Sequence, residues 1–341
     1  MRFQWANTLL LWLVATELAS GLFGLVSGSS DRAIFTLAHR VAGYAVLVLI
    51  VWKGAVIASS LRRRGPGPHR YGSLLLLAGL VVTLSLGLVW SAAGPFAFAW
   101  FSGLSWHIYA GAALTPVLVW HAYRYAHKLP VSFWAERRTF LWLTALAVGG
   151  LALMRAAEAG VTAAGLNGAR RRFTGSYPAP TREGGRFPVV SWLNDRPAPI
   201  DPAAWGVTIG GAVRRELVLR QGDLEALQTV TATIDCTGGW YSEQVWQGAP
   251  LGDLLKLAGP DPTVASVTVT SVTGYYRRFS MDEADRYLLA TRVGGRPLSH
   301  GHGYPLRLVA PGKRGFEWIK WVSRIDVNDT PRWLQPPLPL Q

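Results

Sequence analysis

Cys236 is the sole cysteine among the 341 residues. A single thiol excludes an intrachain disulfide framework and any zinc site built from several thiolates. Its sulfur is therefore either a small buried hydrophobe or a group with a chemical task of its own. The other residues able to do chemistry are histidines. Of the seven present, His39, His107 and His121 fall inside long apolar segments. Ionisable side chains in hydrocarbon are costly, which makes function the default reading. His39 stands near the outer end of the second apolar segment and His107 near the outer end of the fourth. Two imidazoles at equal depth on different helices can supply both axial ligands of a b-type haem. His121 follows His107 by about four helical turns, roughly 21 Å, and returns to nearly the same face. The matching position after His39 is Lys53. A second haem would need Lys53 or another ligand opposite His121. The alternative is that these histidines bond between helices or sit beside the interfacial Trp and Tyr belt.

The elements that must position these groups are of two kinds. Half of the residues are hydrophobic and only 16% are charged, against about 25% in ordinary soluble domains. The apolar excess lies in the first 160 residues. Five segments there match the length of a spanning helix, 5–27, 33–59, 72–92, 103–125 and 139–157. The first lacks a convincing cleavage site and four more follow it, so it reads as a helix rather than a signal peptide. Arg62, Arg63, Arg64 and Arg70 lie between helices two and three, and Arg124, Lys128, Arg137 and Arg138 between four and five. The loop between three and four has no Lys or Arg, and that between one and two has only Arg32. Cationic loops stay cytoplasmic, so the N-terminus is inside and five crossings put the remainder outside. The net charge of +14 follows from such flanking residues, which makes the lipid bilayer the partner and excludes nucleic acid. Glu136-Arg137-Arg138-Thr139-Phe140-Leu141 resembles a twin-arginine export signal, which would carry a folded, cofactor-loaded domain across the membrane. The alternative is an ordinary pair of flanking arginines.

Residues 161–186, rich in Gly, Ala and Arg, read as a linker. From Phe187 the pattern changes to short β-type runs at 205–209, 229–234, 266–272 and 307–309, with one helix-like stretch at 251–257. That alternation predicts a mixed α+β domain without internal repeats.

Two resemblances sharpen these expectations. His39-Arg40-Val41-Ala42-Gly43-Tyr44 resembles the start of the second helix in small bacterial cytochrome b membrane domains. This implies that His39 ligates haem and that Gly43 makes room for the macrocycle. Lys53 departs from that pattern. Asp235-Cys236-Thr237-Gly238-Gly239-Trp240, then Trp246-Gln247-Gly248 and Leu251-Gly252-Asp253-Leu254-Leu255, resemble the sulfite oxidase family of molybdopterin enzymes. So does a second block, Gly303-Tyr304-Pro305-Leu306-Arg307-Leu308-Val309, Pro311-Gly312, Gly315-Phe316 and Trp318-Ile319-Lys320-Trp321. The lack of an asparagine-arginine continuation after Gly238, together with Trp240, points toward the periplasmic methionine sulfoxide reductase branch. The resemblance implies that Cys236 completes the sulfur ligation of a molybdenum held by the pterin. A soft thiolate suits such a metal, which deprotonates it. It also implies that Arg307, Lys320 and the backbone of Trp318 and Ile319 bind the cofactor. His302 stands where the sulfoxide reductase branch has an asparagine, and would either keep a hydrogen bond to the cofactor or differ in function. His300, Lys313 and Arg314 are further candidate phosphate neighbours, with a solvated basic surface as the alternative. Asn194 lies where family members begin to contact the pterin. From the residues alone, Tyr276, Arg277 and Arg278 follow a strand and could face the metal. An Arg there would suit an oxyanion, and a Trp- and Tyr-lined pocket a sulfoxide.

The expected protein is an all-α transmembrane bundle of five spans (1–160), a linker (161–186) and a mixed α+β molybdopterin domain (187–341). It would sit in a bacterial cell membrane and carry out oxygen-atom transfer on a small sulfur-oxo substrate outside the cytoplasm. Electrons would pass between molybdenum and a haem held by His39 and His107 beneath the exported domain, with a quinone or redox protein as the further partner. Two rivals stand beside this, a haem-free anchor carrying a molybdopterin-binding module with little catalysis, and an electron-transfer subunit of a separate enzyme.

Overall fold

The computed structural model describes residues 4–65, 67–125, 136–192, 195–224 and 228–339. They form two compact units, Met1–Tyr177 and Pro178–Gln341. Lys128 and Asn194 lie outside the described residues.

The first unit is built from α1 (Gln4–Val26), α2 (Ala33–Arg64), α3 (Pro68–Ala93), α4 (Gly103–Tyr125) and α5 (Arg137–Ala163). Among the described residues, Thr8–Val26, Ser30–Arg63, Tyr71–Ala93 and Arg137–Ala163 are long and apolar enough to cross a membrane. The fifth expected span, α4, is a helix of 23 residues interrupted by Pro116 and is not among those four. It carries Ser105, His107, Thr115, His121 and Arg124 along its length. Four spans therefore stand on length and composition where five were expected. A β-hairpin of β1 (Ala97–Phe98) and β2 (Phe101–Ser102) joins α3 to α4. α5 packs on α2 at Gly150, where a Cβ would lie 2.5 Å from the Val41 carbonyl oxygen. Small residues let apolar helices approach this closely. Arg40 and Glu158 join the same two helices by an ion pair. Arg137 and Arg138 occupy the exposed first turn of α5.

The second unit is a mixed α+β fold with two sheets. Its strands are β3 (Val207–Gly211), β4 (Leu217–Leu219), β5 (Gln228–Cys236), β6 (Trp240–Pro250), β7 (Ser266–Ser271), β8 (Tyr276–Ser280), β9 (Leu288–Val293), β10 (Arg296–Pro297), β11 (Arg307–Val309) and β12 (Val322–Asn328). One sheet runs β4-β3-β12-β7-β8, with β3 and β12 parallel and the other pairs antiparallel. In the other, β6 lies between β5 and β9, and β9 also pairs with β10 and β11. Helix α6 (Leu251–Ala258) ends at Gly259, which adopts the left-handed conformation with φ +67°. The short α7 (Met281–Ala284) starts with a capping box between Ser280 and Glu283, satisfying two backbone donors that the helix leaves open.

Alternation along the strands sends Ala232, Ile234, Val267, Val269, Leu289, Leu308 and Ile325 into one buried core, with Trp246 and Trp318 among its largest members. The β5–β6 hairpin matters most for chemistry. Its pairing runs from Gln228↔Gly248 to Cys236↔Trp240, which puts Cys236 at the tip opposite Trp240. The connection closes because Gly239 takes φ +95°, a region that favours glycine.

Gly248 faces Ala290 where β6 crosses β9, beside the register shift between Ala290 and Arg292. A Cβ at Gly248 would lie 2.0 Å from the Leu289 carbonyl oxygen and 2.7 Å from Ala290 Cα. Gly248→Ala should therefore cost about 1–3 kcal/mol of stability through overpacking, read by urea unfolding followed by near-UV circular dichroism. An unchanged midpoint would mean that this strand crossing relaxes freely.

Candidate active site

The hairpin tip opens into a cavity of about 80 Å³ within the second unit, lined by residues of the segments 187–192 and 315–321 together with Asp195, Cys236, Trp240, Tyr275, His302 and Arg307. Cys236 Sγ accepts the Gly238 backbone N–H at 3.3 Å. Burial pushes its thiol pKa up, while the Gly238 N–H and the nearby Arg314 cation pull it down.

Two cations share this cavity. Arg307 is buried, donates to the His302 carbonyl at 3.0 Å, and has its guanidinium carbon 5.6 Å from the Trp246 ring centre and 5.9 Å from that of Trp318. Burial brings its pKa down to about 9, with Cys236 acting in the opposite sense. Lys320 donates to the Gly301 carbonyl at 2.7 Å and to Ser191 Oγ at 3.3 Å, and its Nζ lies 4.9 Å from the Trp321 ring centre. Burial, then the neighbouring Arg307, lowers its pKa to about 7. Neither cation forms a salt bridge among the described residues.

Three N–H groups of lining residues are buried without an acceptor among the described residues, Arg307 Nε, Trp192 Nε1 and Trp240 Nε1. Buried donors are normally bonded, and an open one costs free energy. The cavity thus combines a soft sulfur and two desolvated cations, and three of its wall residues, Arg307 among them, carry an open donor. It is shaped for a ligand rich in acceptors and negative charge.

Cys236, His302, Arg307, Trp318, Ile319 and Lys320 all line this one cavity. His302 lines the cavity but spends both ring nitrogens on the protein. Nε2 donates to the Phe187 carbonyl at 2.9 Å, which leaves Nδ1 to accept from Ser299 Oγ at 2.8 Å. Burial lowers its pKa to about 4, so it is a neutral strut. The backbone of Trp318 and Ile319 is partly used within the fold, as the Trp318 N–H donates to Gly315 and the Ile319 carbonyl accepts from Leu308. Tyr276 and Arg277 are absent from the lining. Tyr276 is exposed, and Arg277 donates to the carbonyls of Pro336 at 3.1 Å and Pro337 at 3.2 Å. Tyr275 faces the cavity instead and donates to the Phe316 carbonyl at 2.6 Å. Nor are His300, Lys313 and Arg314 free for phosphate. They bond to the Pro197 carbonyl, Glu283 and Asp235 respectively.

Trp192, Tyr275 and Phe316 were missed in the sequence as wall residues. Trp192 lies in the stretch that the family resemblance implies would begin to contact a pterin, two positions from Asn194, which lies outside the described residues. Tyr275 is one residue from the pair chosen, and only strand phase separates them.

In the first unit, His39 and His107 face one another with ring centres 5.8 Å apart. His107 Nδ1 lies 2.8 Å from the Thr83 carbonyl oxygen. His39 Nδ1 lies 2.9 Å from the Glu17 carbonyl oxygen and 3.0 Å from its Oε2. Both rings line a cavity of about 400 Å³ that also includes Glu17, Lys53 and His121. A Cβ at Gly21 or Gly87 would come within 3.1 Å of His39 or 3.0 Å of His107. The room made for His39 is thus at Gly21, whereas a Cβ at Gly43 would meet Glu17. Glu17 escaped notice in the sequence as one acidic residue within an apolar run.

Residues 194–334 match the family described as the oxidoreductase molybdopterin binding domain. The catalytic subunit of the protein-methionine-sulfoxide reductase MsrP of Gluconobacter oxydans is 32% identical over 150 residues, covering 38% of this chain and 48% of that protein. Sulfite oxidase of Arabidopsis thaliana is 29% identical over 204 residues, covering 46% of this chain and 49% of its own. The uncharacterized oxidoreductase YuiH of Bacillus subtilis is 30% identical over 144 residues, covering 41% of this chain and 72% of YuiH. The chain belongs to the molybdopterin-binding oxidoreductases of the sulfite oxidase type. It spans about half the length of the sulfoxide reductase and sulfite oxidase relatives.

The cavity residues fit a molybdopterin cofactor. The open N–H donors and unpaired cations are what an acceptor-rich, phosphate-bearing ligand needs, and charge-assisted bonds to phosphate are the strong ones. Cys236 is the only thiol in the sequence. A molybdopterin-binding oxidoreductase with an unfilled site should then show the cost of its buried lysine. With its pKa at about 7 in the folded state, Lys320 binds fewer protons than the unfolded chain between that value and the ordinary lysine value near about 10.4. Stability of cofactor-free protein should therefore rise with pH across that window. Lys320→Met should flatten the rise and increase the neutral-pH melting temperature, followed by tryptophan fluorescence. An unaltered pH slope in the variant would show that Lys320 is not the desolvated group.

Proposed function

We propose that this protein is a membrane-anchored, molybdopterin-dependent oxidoreductase that transfers an oxygen atom to or from a small sulfur-oxo compound outside the cytoplasm. The observation that carries the reading is the convergence of the lone thiol, two desolvated cations and three unaccepted N–H groups on one cavity. Bound molybdopterin would supply a metal centre that cycles by two electrons. Cys236 would hold the metal, and Arg307 and Lys320 would hold anionic cofactor oxygens, with Trp192 and Trp240 donating from the walls. Trp192, Tyr275 and Phe316 form a largely apolar wall that limits water. The commitment of Arg277 to the Pro336 and Pro337 carbonyls removes the cation that an oxyanion would use. Together these favour a neutral sulfoxide over sulfite. The name of the Gluconobacter relative, a methionine sulfoxide reductase subunit, agrees.

The same proposal assigns residues 1–160 to a membrane domain, 161–186 to a linker and 187–341 to the molybdopterin domain. α4 would serve as a fifth span, its Pro116 tolerated because neighbouring helices can re-satisfy the backbone. The N-terminus would be cytoplasmic, with Arg137 and Arg138 as the export pair. His39 and His107 would ligate a b-type haem. Each engages a backbone carbonyl through Nδ1, the arrangement that fixes a ligating imidazole and leaves Nε2 for a metal. Electrons would reach the molybdenum from this haem, supplied in turn by a quinone or redox protein. His121 and Lys53 would sit toward the inner end of the same cavity.

Purified full-length protein should contain molybdenum and iron, show a haem band that responds to dithionite, and turn over sulfoxides faster than sulfite. Cys236→Ser should abolish turnover, a larger loss than the 10–100-fold typical of changes around a metal's ligands, while the haem band stays. Undiminished activity in that variant would sink the molybdenum assignment. Molybdenum without iron would leave an enzyme on a haem-free anchor.

A further inference from the structure

Behind Cys236 lies an ion pair for which the proposed chemistry has no direct use. Arg314 Nη1 donates to Asp235 Oδ1 at 2.6 Å, and the two side chains are 1% and 2% exposed. Burying a complete ion pair gives little net stability, and well-packed apolar residues of similar volume often do as well. Its geometry suggests another use. The second guanidinium nitrogen of Arg314, Nη2, donates to the Cys236 carbonyl at 3.2 Å. One rigid fork therefore grips two consecutive residues at the end of β5. Successive side chains of a strand point to opposite faces, so Asp235 is held on one side while the thiol of Cys236 enters the cavity on the other.

The surrounding contacts tighten this grip. The Cys236 carbonyl also accepts the Gly239 N–H at 3.0 Å, which fills its second lone pair. Asp235 and Arg314 are joined by an isolated parallel β-bridge. A Cβ on Gly315 would lie only 3.2 Å from Cys236 Cα, so the loop carrying Arg314 is seated directly on the cysteine backbone.

We propose that Arg314 and Asp235 are positioning residues that fix the direction of the Cys236 sulfur toward the molybdenum. This rests on the molybdopterin reading of the cavity. The fork is the essential feature, because a lysine offers one point charge and cannot span both acceptors.

Arg314→Lys in the full-length, cofactor-loaded protein separates the ion pair from the bridge. The expected result is near wild-type molybdenum content and melting temperature, a shifted electron paramagnetic resonance signal from half-reduced molybdenum, and turnover lowered about 10–100-fold. If Arg314→Lys fails to fold or to load, the double variant Asp235→Asn with Arg314→Gln keeps an amide pair without buried charge, and the same spectral shift is expected there. A loaded variant with the wild-type signal and turnover overturns the positioning role. Wild-type protein that contains no molybdenum overturns the cofactor reading and this proposal with it.

Discussion

Two cations and a thiol share a space of about 80 Å³ with too few protein groups to balance them. Arg307 is 2% exposed and Lys320 half-buried, and burial depresses the pKa of both. A fold with only itself to stabilise would place apolar side chains there or pair the cations with carboxylates. The second unit does neither. Free energy spent on desolvating these groups is returned only when an anionic, acceptor-rich molecule enters. The same deficit that destabilises the empty cavity makes it selective.

The remainder of that unit serves to keep the groups in place without satisfying them. Cys236 is carried by a hairpin whose turn depends on Gly239. Arg307 opens β11, which is paired with β9, and Lys320 lies two residues before β12. Each group thus sits on or beside a regular strand while its working end faces the cavity. His302 completes the frame without touching chemistry. Its carbonyl accepts from Arg307 and its ring holds the Phe187 carbonyl, linking the cation to the opposite wall through a neutral imidazole.

What could be read from the sequence follows from which signals are local. The helices of the first unit were evident because hydropathy over about 20 residues integrates many side chains. The β runs of the second unit, read at 266–272 and 307–309 among others, were evident as short β-type stretches between turns, and the first of them ends at Ser271. Cys236 stood out as the lone thiol, and Arg307 and Lys320 through their positions in a block that resembles the sulfite oxidase family. Phase and partners were not legible. Tyr275 and Tyr276 differ only in which face of the chain they occupy, and the neighbouring Arg277 was assigned to the metal on residue type. Its partners are the carbonyls of Pro336 and Pro337, some sixty residues away in sequence, which no local pattern announces. Lys313 and Arg314 looked like phosphate contacts for the same reason, yet each has a carboxylate already. In α4 the difficulty was of degree, since its polar and aromatic residues dilute a helical pattern that is itself clear.

The first unit obeys the same logic in an apolar setting. Its cavity of about 400 Å³ has leucine as its commonest lining residue and carries Glu17, His39, Lys53, His107 and His121 as its ionisable groups. Glu17 Oε1 is buried without a partner among the described residues, while Oε2 sits beside His39 Nδ1. His107 has a carbonyl at the equivalent atom. The two imidazoles are therefore held alike by backbone but differ in charge environment. Any metal between them would have one ring backed by a carboxylate and one by a neutral oxygen. Under the haem assignment proposed above, the Glu17 side chain would help to orient the His39 ring. An apolar cavity with two facing rings and glycines beside both has little reason to keep a glutamate for stability. Its position beside His39 Nδ1 fits the ligand role proposed for that histidine.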